Sequence, residues 1–377
     1  MAIRLGFLST YTPTQCGIAT FSEALISHLR RAGAHVGLVR CVDEPQELSR
    51  PVVHQWVTTR PQDAREVAAV LDGYDVAVLQ HEYGIFGGPD GQDVLAVVGR
   101  LTVPLITVLH TVLTEPSPNQ RRVMAGLVEA SAALVTMTET ARDRLIAGWG
   151  VDPSRVSVIS HGAVDNRADA PSQLSAAPRP RTVLTWGLLS EGKGIEWALL
   201  AMGALRDRIP LPMYSIVGQT HPRVRERTGE AYRESLMSLT QELGLAESVR
   251  FDSRYLSGTD LRAVVRDADI VLLPYDSREQ VTSGVLTEAV AAGKPVISTS
   301  FPHAVELLSD GAGLLVPRRD PGAIADALER ILTDDELADG MAGRSFALAE
   351  SLLWPAVAER YVDLASSVRS TALRRAV

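Results

Sequence analysis

Residues 271–299 read VLLPYDSREQVTSGVLTEAVAAGKPVIST, and they set a Thr-Ser-Gly loop and a glutamate between two apolar runs. Ile270–Leu273 has the make-up of a buried strand, and an amphipathic helix follows the loop and stops at Gly293. A strand, a small-residue loop and a helix N-terminus together form an anion site, because free backbone N–H groups and the positive end of the helix dipole converge there. On that reading Thr282, Ser283, Gly284 and the N–H groups of Val285 and Leu286 hold phosphates. Thr282 or Ser283 would also cap the helix, and the two roles are compatible. Glu288, one turn further in, can accept hydrogen bonds from two neighbouring hydroxyls, such as a ribose diol. Its apolar flanks put it near a buried face, where an acid needs a partner. The combination suits a nucleotide diphosphate carrying a sugar.

A second glycine-rich loop, Gly187-Leu188-Leu189-Ser190-Glu191-Gly192-Lys193-Gly194, follows a strand and opens a helix. Its spacing nearly fits a P-loop, but Gly194 stands where a hydroxyl must hold Mg²⁺. It also begins like a dinucleotide fingerprint, but Trp197 occupies the third glycine position and is too bulky for close helix–strand packing. Both readings fail, and Lys193 is left as a cation at a strand end. In the N-terminal half, Leu109-His110-Thr111 closes another strand at the end where α/β sheets present ligand residues. The run Gln80–Gly88, QHEYGIFGG, also follows a strand. Its His81, Glu82 and Tyr83 suit an acceptor-binding loop. No second histidine lies at metal-ligand spacing, so it is no metal motif.

The elements that position these loops alternate along the chain. Strand candidates are Ile3–Ser9, Val36–Cys41, Val76–Gln80, Leu105–His110, Leu134–Thr138 and Val156–Ser160, with amphipathic stretches between them. This is the pattern of a parallel sheet covered by helices on both faces. Asp165–Arg181, rich in Ala, Pro, Ser and Asp, breaks the pattern and reads as a linker centred on residues 166–181. The alternation restarts with Thr182–Trp186, Tyr214–Val217, Val249–Phe251, Ile270–Leu273, Val296–Ser298 and Leu314–Val316. Two Rossmann-like domains, 1–165 and 182–353, are expected to face a cleft.

Hydrophobic content of 46% and charged content of 22% mark a globular chain, and a net charge of −8 argues against a surface built for nucleic acid. The two cysteines, Cys16 and Cys41, give no disulfide framework. The N-terminal MAIRLGFLST reads as a strand and not a signal peptide, no apolar run is long enough to span a bilayer, and nothing indicates membrane association. A cytoplasmic enzyme is the simplest expectation.

Glu288-Ala289-Val290-Ala291-Ala292-Gly293-Lys294-Pro295-Val296-Ile297 resembles the C-terminal signature of family 4 glycosyltransferases, which have the GT-B fold. Their motif is a glutamate, seven residues, a second glutamate, an Ala/Gly-rich stretch and a Pro-led strand. Glu288 matches the second glutamate. The first is replaced by Gln280, with Glu279 displaced by one position. The Gly187–Gly194 segment resembles the family's Gly-Arg-x5-Lys-Gly loop, with Gly187 and Lys193 on the diphosphate. Leu188 stands where the family has arginine, so the site is one charge short unless Arg278, Arg254 or another residue supplies it.

The resemblance implies a retaining transferase that moves a hexosyl group, mannosyl or glucosyl, from a GDP- or UDP-hexose to a hydroxyl acceptor such as a sugar. It implies His110 at the donor sugar and Gly17, in the Tyr11–Thr20 loop, near donor phosphate and acceptor. It places Gln15 on the acceptor side and Tyr255 at the base. Ser160–Asp165, SHGAVD, resembles a turn before the linker, and the terminal helix, Trp354–Ser367, is expected to return to the first domain. No cofactor or metal is implied: Lys193 and the helix at Ser283 would offset leaving-group charge. At position 280 either the neutral amide keeps the sugar-binding role, or Glu279 turns inward, or activity is lost. The alternatives are a GT-B epimerase or phosphorylase, or a catalytically impaired nucleotide-sugar-binding protein.

Overall fold

The computed structural model describes residues 2–167 and 180–375. The stretch read as a linker falls mostly on residues 168–179, outside the described residues. The chain divides into two compact units, Met1–Gly162 with Trp354–Val377, and Ala163–Leu353.

The first unit holds β1 (Arg4–Ser9), β2 (His35–Val42), β3 (Val52–Val57), β4 (Val76–His81), β5 (Leu105–Leu109), β6 (Ala133–Thr136) and β7 (Val156–Val158). They form one sheet in the order β3-β2-β1-β4-β5-β6-β7. The second unit holds β8 (Thr182–Trp186), β9 (Met213–Val217), β10 (Val249–Asp252), β11 (Ile270–Leu273), β12 (Val296–Thr299) and β13 (Gly313–Val316), ordered β10-β9-β8-β11-β12-β13. Every described strand pair is parallel. Helices cover such strands on both faces, so β4, β5, β11 and β12 are buried along their whole length. Only β11 among these four is apolar throughout, while β4 ends in Gln80-His81 and β12 in Ser298-Thr299. These are the two α/β domains expected from the alternation.

One strand differs from expectation. β3, sequence VVHQWV, pairs only with β2 at the edge of its sheet, and its burial is uneven, with Val53 48% exposed. An edge strand needs neither continuous apolarity nor clean alternation, and this one gave no periodic signal.

The terminal helix, Trp354–Arg375, belongs to the first unit. Trp354, Val357, Ala358, Tyr361 and Ala365 are buried in one core with Phe21, Leu25 and Leu29. Gly162 makes the dock possible: a Cβ there would lie 2.1 Å from the Trp354 ring. In the second unit Ala163, its first residue, bridges Leu353, its last.

Candidate functional site

In the second sheet, chain order reverses between β8 and β11, and ligands of open α/β sheets bind at the strand carboxyl ends at such a point. The Gly187–Gly194 loop leaves β8 there. Gly194 adopts φ +67°, and a Cβ on it would sit 1.9 Å from the Pro274 carbonyl. A Cβ on Gly218, at the end of β9, would sit 2.0 Å from the Gly187 carbonyl. Glycine is therefore required for these backbones to approach. The Asp276 N–H donates to the Gly192 carbonyl at 2.8 Å, which fastens the loop to the segment after β11.

That docking sets Lys193. Its Nζ lies 4.2 Å from the centroid of the Tyr275 ring, and Tyr275 stacks on Phe301 at 5.5 Å. A cation over an aromatic face gains about 0.5–2 kcal/mol, depending on desolvation. No carboxylate pairs with Lys193 among the described residues, so its charge remains available. Lys193, Tyr275, Arg278, Glu279 and Gln280 line one cavity of about 430 Å³. Gln280 and Glu279, the two residues at or beside the position of the motif's first glutamate, therefore both line it.

The Gly284–Ala291 helix begins beside this loop: a Cβ on Gly187 would lie 3.7 Å from the Val285 side chain. Ser283 is its cap, with Oγ accepting from the Leu286 N–H at 3.2 Å. The Ser283 N–H donates to His303 Nδ1 at 2.8 Å. The cap therefore occupies the Leu286 N–H that the sequence reading gave to phosphate. The N–H groups of Gly284 and Val285 have no partner among the described residues. The buried Thr282 hydroxyl is likewise unpartnered. Two amides and a hydroxyl at a dipole's positive end make an anion site.

Glu288 lies one turn further in and is half-buried. Burial pushes its carboxyl up to about 7, against a hydrogen bond with Trp186 that pulls it down. Of the charges proposed to replace an arginine at Leu188, Arg278 lines the cavity. Arg254 instead forks onto Asp252 at 2.6 and 2.9 Å. Tyr255 lies in the exposed loop after β10, at the sheet edge, and does not line this cavity.

In the first unit the order reverses between β1 and β4. Gly17 opens the Gly17–Arg31 helix, capped by Cys16, and faces open space. The N–H groups of Gly17 and Ile18 have no partner among the described residues. Gln15, just before them, is exposed. The buried Arg40 holds this loop: it donates to the Thr12 carbonyl at 3.1 Å and the Glu47 carbonyl at 2.9 Å.

At the ends of β4 and β5, Glu82 accepts from the Thr111 hydroxyl and the Tyr83 N–H. His110 Nε2 meets Gln80 Oε1 at 2.8 Å, and its ring packs edge-on to Phe21 at 4.9 Å. Burial, with His161 and His81 nearby, pulls His110 down to about 3, so it is neutral at neutral pH, with its one N–H on Nε2 held by Gln80 and Nδ1 left as an acceptor. His81 is fully buried against Tyr83 and Phe86, and burial pulls it down to about 3. Neither of its ring nitrogens has a partner among the described residues.

Sequence reasoning missed Tyr275, His303, Trp186, Gln80 and Arg40. Tyr275 alone had a local signal, as an aromatic directly after a buried strand. The described residues include no group of three or more His, Cys, Asp or Glu placed to hold a metal ion. No described helix is long and apolar enough to cross a membrane.

Two family models match the chain. "Glycosyltransferase Family 4" covers residues 16–167, and "Glycosyl transferases group 1" covers residues 180–334. A D-inositol 3-phosphate glycosyltransferase of Corynebacterium glutamicum is 31% identical over 285 residues, 70% of this chain. The chain spans just under two thirds, 66%, of that relative's length. HepE of Anabaena, solved in complex with UDP, is 18% identical over 97% of this chain and all of its own, with a TM-score of 0.74. Sucrose-phosphate synthase of Thermosynechococcus elongatus is 19% identical over 98% of this chain and all of its own, with a TM-score of 0.76. At such identity these two structures speak to the fold alone, and it is the expected GT-B fold. With a lysine-bearing glycine loop after β8, a helix N-terminus after β11 and both family models in chain order, the protein belongs to the family 4 glycosyltransferases.

Proposed function

We propose that the protein is a retaining glycosyltransferase that moves a hexosyl group from a UDP- or GDP-hexose to a hydroxyl of a sugar or polyol. One observation carries the reading: Lys193, the free Gly284 and Val285 N–H groups and Glu288 are gathered at the β8/β11 strand ends. The diphosphate lies on the two amides and Lys193, and Glu288 takes the ribose diol. The solved structure of HepE with UDP and the curated relatives named for D-inositol 3-phosphate support a nucleotide-sugar donor and a polyol-type acceptor.

In the proposed reaction the bond from sugar C1 to the phosphate oxygen breaks, and a bond from C1 to the acceptor oxygen forms on the same face. The acceptor proton passes to the departing phosphate oxygen. Lys193 and the helix N-terminus offset the charge that builds on that oxygen, and removing one such donor typically costs about 10²–10³ in rate. Gln280, at the sugar side, keeps an acceptor oxygen and adds an N–H₂ donor. His110, held neutral with its Nε2–H on Gln80, accepts from a sugar hydroxyl through Nδ1. The acceptor binds the first unit at Gln15, Gly17, Glu82 and Tyr83, whereas the fully buried His81 packs behind Tyr83 and does not touch it.

The test is nucleoside diphosphate release from UDP- and GDP-hexoses with polyol and sugar acceptors. Release that depends on acceptor supports transfer. Tight donor binding with no release under any condition would instead favour a non-catalytic binding protein.

A further inference from the structure

A second cavity, of about 450 Å³, adjoins the first and shares Asp276 and Arg278 with it. Arg318 and Arg319 complete its lining. They follow β13, Asp276 follows β11, and β12 lies between, so two loops meet over one strand end. Asp276 accepts from Arg318 Nη1 at 3.0 Å and from Arg319 Nε at 2.6 Å. Those arginines hold its carboxyl below the usual range. Arg278 has no partner among the described residues. Three guanidinium groups therefore line this cavity with one carboxylate, in a chain whose net charge is −8.

A self-contained structural ion pair does not account for this arrangement. Arg319 sits at φ +57°, a backbone conformation that glycine adopts freely and other side chains do not. Its side chain is 65% exposed, and exposed ion pairs contribute little stability. Non-glycine residues held in this region cluster at ligand clamps. Here the strained backbone carries Arg319 onto Asp276, which accepts from Arg319 Nε and Arg318 Nη1 and leaves the remaining N–H groups of both guanidiniums for the cavity they line. Guanidinium forks match the oxygens of phosphate.

We infer that Arg278, Arg318 and Arg319 form a second anion subsite, which takes a phosphate monoester on the substrate beside the donor diphosphate. Asp276 positions two of the three arginines. The inference rests on the reading of the first cavity as the diphosphate site.

The test uses Arg319→Gly, which suits the left-handed backbone, and Arg318→Gln, each checked for an unchanged fold. Glucose 6-phosphate and inorganic phosphate are titrated calorimetrically into wild type and variants, without UDP and with saturating UDP. UDP alone is titrated separately. Losing one charge-assisted contact should weaken the phosphate monoester by about tenfold in each variant, with UDP affinity kept within twofold. Equal affinity for glucose 6-phosphate and inorganic phosphate assigns the subsite to free phosphate, and preference for the ester assigns it to a substrate. Unchanged phosphate affinity in both variants would overturn the inference, as would absence of phosphate binding in wild type or a parallel loss of UDP affinity. The two readings fail separately, because absence of UDP binding defeats the donor assignment while phosphate binding without UDP is still measured.

Discussion

The Glu288 carboxyl should make donor affinity depend on pH. In the ligand-free protein burial raises it from 4.5 to about 7. A raised acid favours the folded state while protonated. Its contribution is full below the unfolded value and is lost as pH rises through about 7. At about 1.4 kcal/mol per unit, the charged form costs at most about 3–4 kcal/mol of stability, less for a half-buried group. A ribose diol donating two hydrogen bonds favours the charged form, so binding should expel a proton near neutral pH.

With a free-state value of about 7, the carboxylate fraction is about nine-tenths at pH 8 and about one-tenth at pH 6. Affinity for a UDP- or GDP-hexose should therefore fall about tenfold from pH 8 to pH 6. The sugar nucleotide is the right probe, because its diphosphate has no proton to lose in this range. Calorimetry in buffers of different ionisation enthalpy should count close to one released proton at pH 6. Glu288→Gln should remove the slope, bind more weakly at pH 8, and melt higher than wild type at pH 8 without ligand. A flat wild-type profile, or the same slope in Glu288→Gln, would refute the placement of the ribose on Glu288.

Other outcomes follow from the same geometry. Lys193→Ala should lower turnover by roughly 10²–10³ with acceptor KM little changed; near-normal turnover would return Lys193 to a solvated surface role. Gln280→Ala should leave affinity for free nucleoside diphosphate within twofold and damage sugar transfer; loss of nucleotide binding here, with Glu288→Gln still binding, would show the two-glutamate alignment to be misplaced. Activity should persist in EDTA, since Lys193 and the helix N-terminus carry the leaving-group charge; loss on chelation, restored by Mg²⁺ or Mn²⁺, would overturn that assignment.

The parts of the fold legible in the sequence are those that local physics dictates. Strands buried on both faces are mostly apolar, and Thr182–Trp186 and Ile270–Leu273 lie where that tendency puts them. Glycines at a strand end marked the Gly187–Gly194 loop, though not the close approaches at Gly194 and Gly218. Ser283 announced the helix start, though not that its cap would take the Leu286 N–H. What could not be read is what distant segments bring. His303 reaches Ser283 from 20 residues away, Gln80 reaches His110 from 30, and Arg318 reaches Asp276 from 42. Each pair needs the parallel topology before it exists. The edge strand β3 was missed because only one of its sides is paired.

The central claim is sugar transfer from a nucleotide donor, and the anomeric configuration of the product tests it most directly. The protein would be incubated with a UDP- or GDP-hexose labelled at sugar C1 and a polyol or sugar phosphate acceptor, and followed by NMR. Retaining transfer predicts loss of the donor's C1–phosphate signal, stoichiometric nucleoside diphosphate, and a new glycosidic C1 with the donor's own configuration. An inverted C1, or a labelled sugar that stays on its nucleotide with every acceptor while binding is tight, would contradict it.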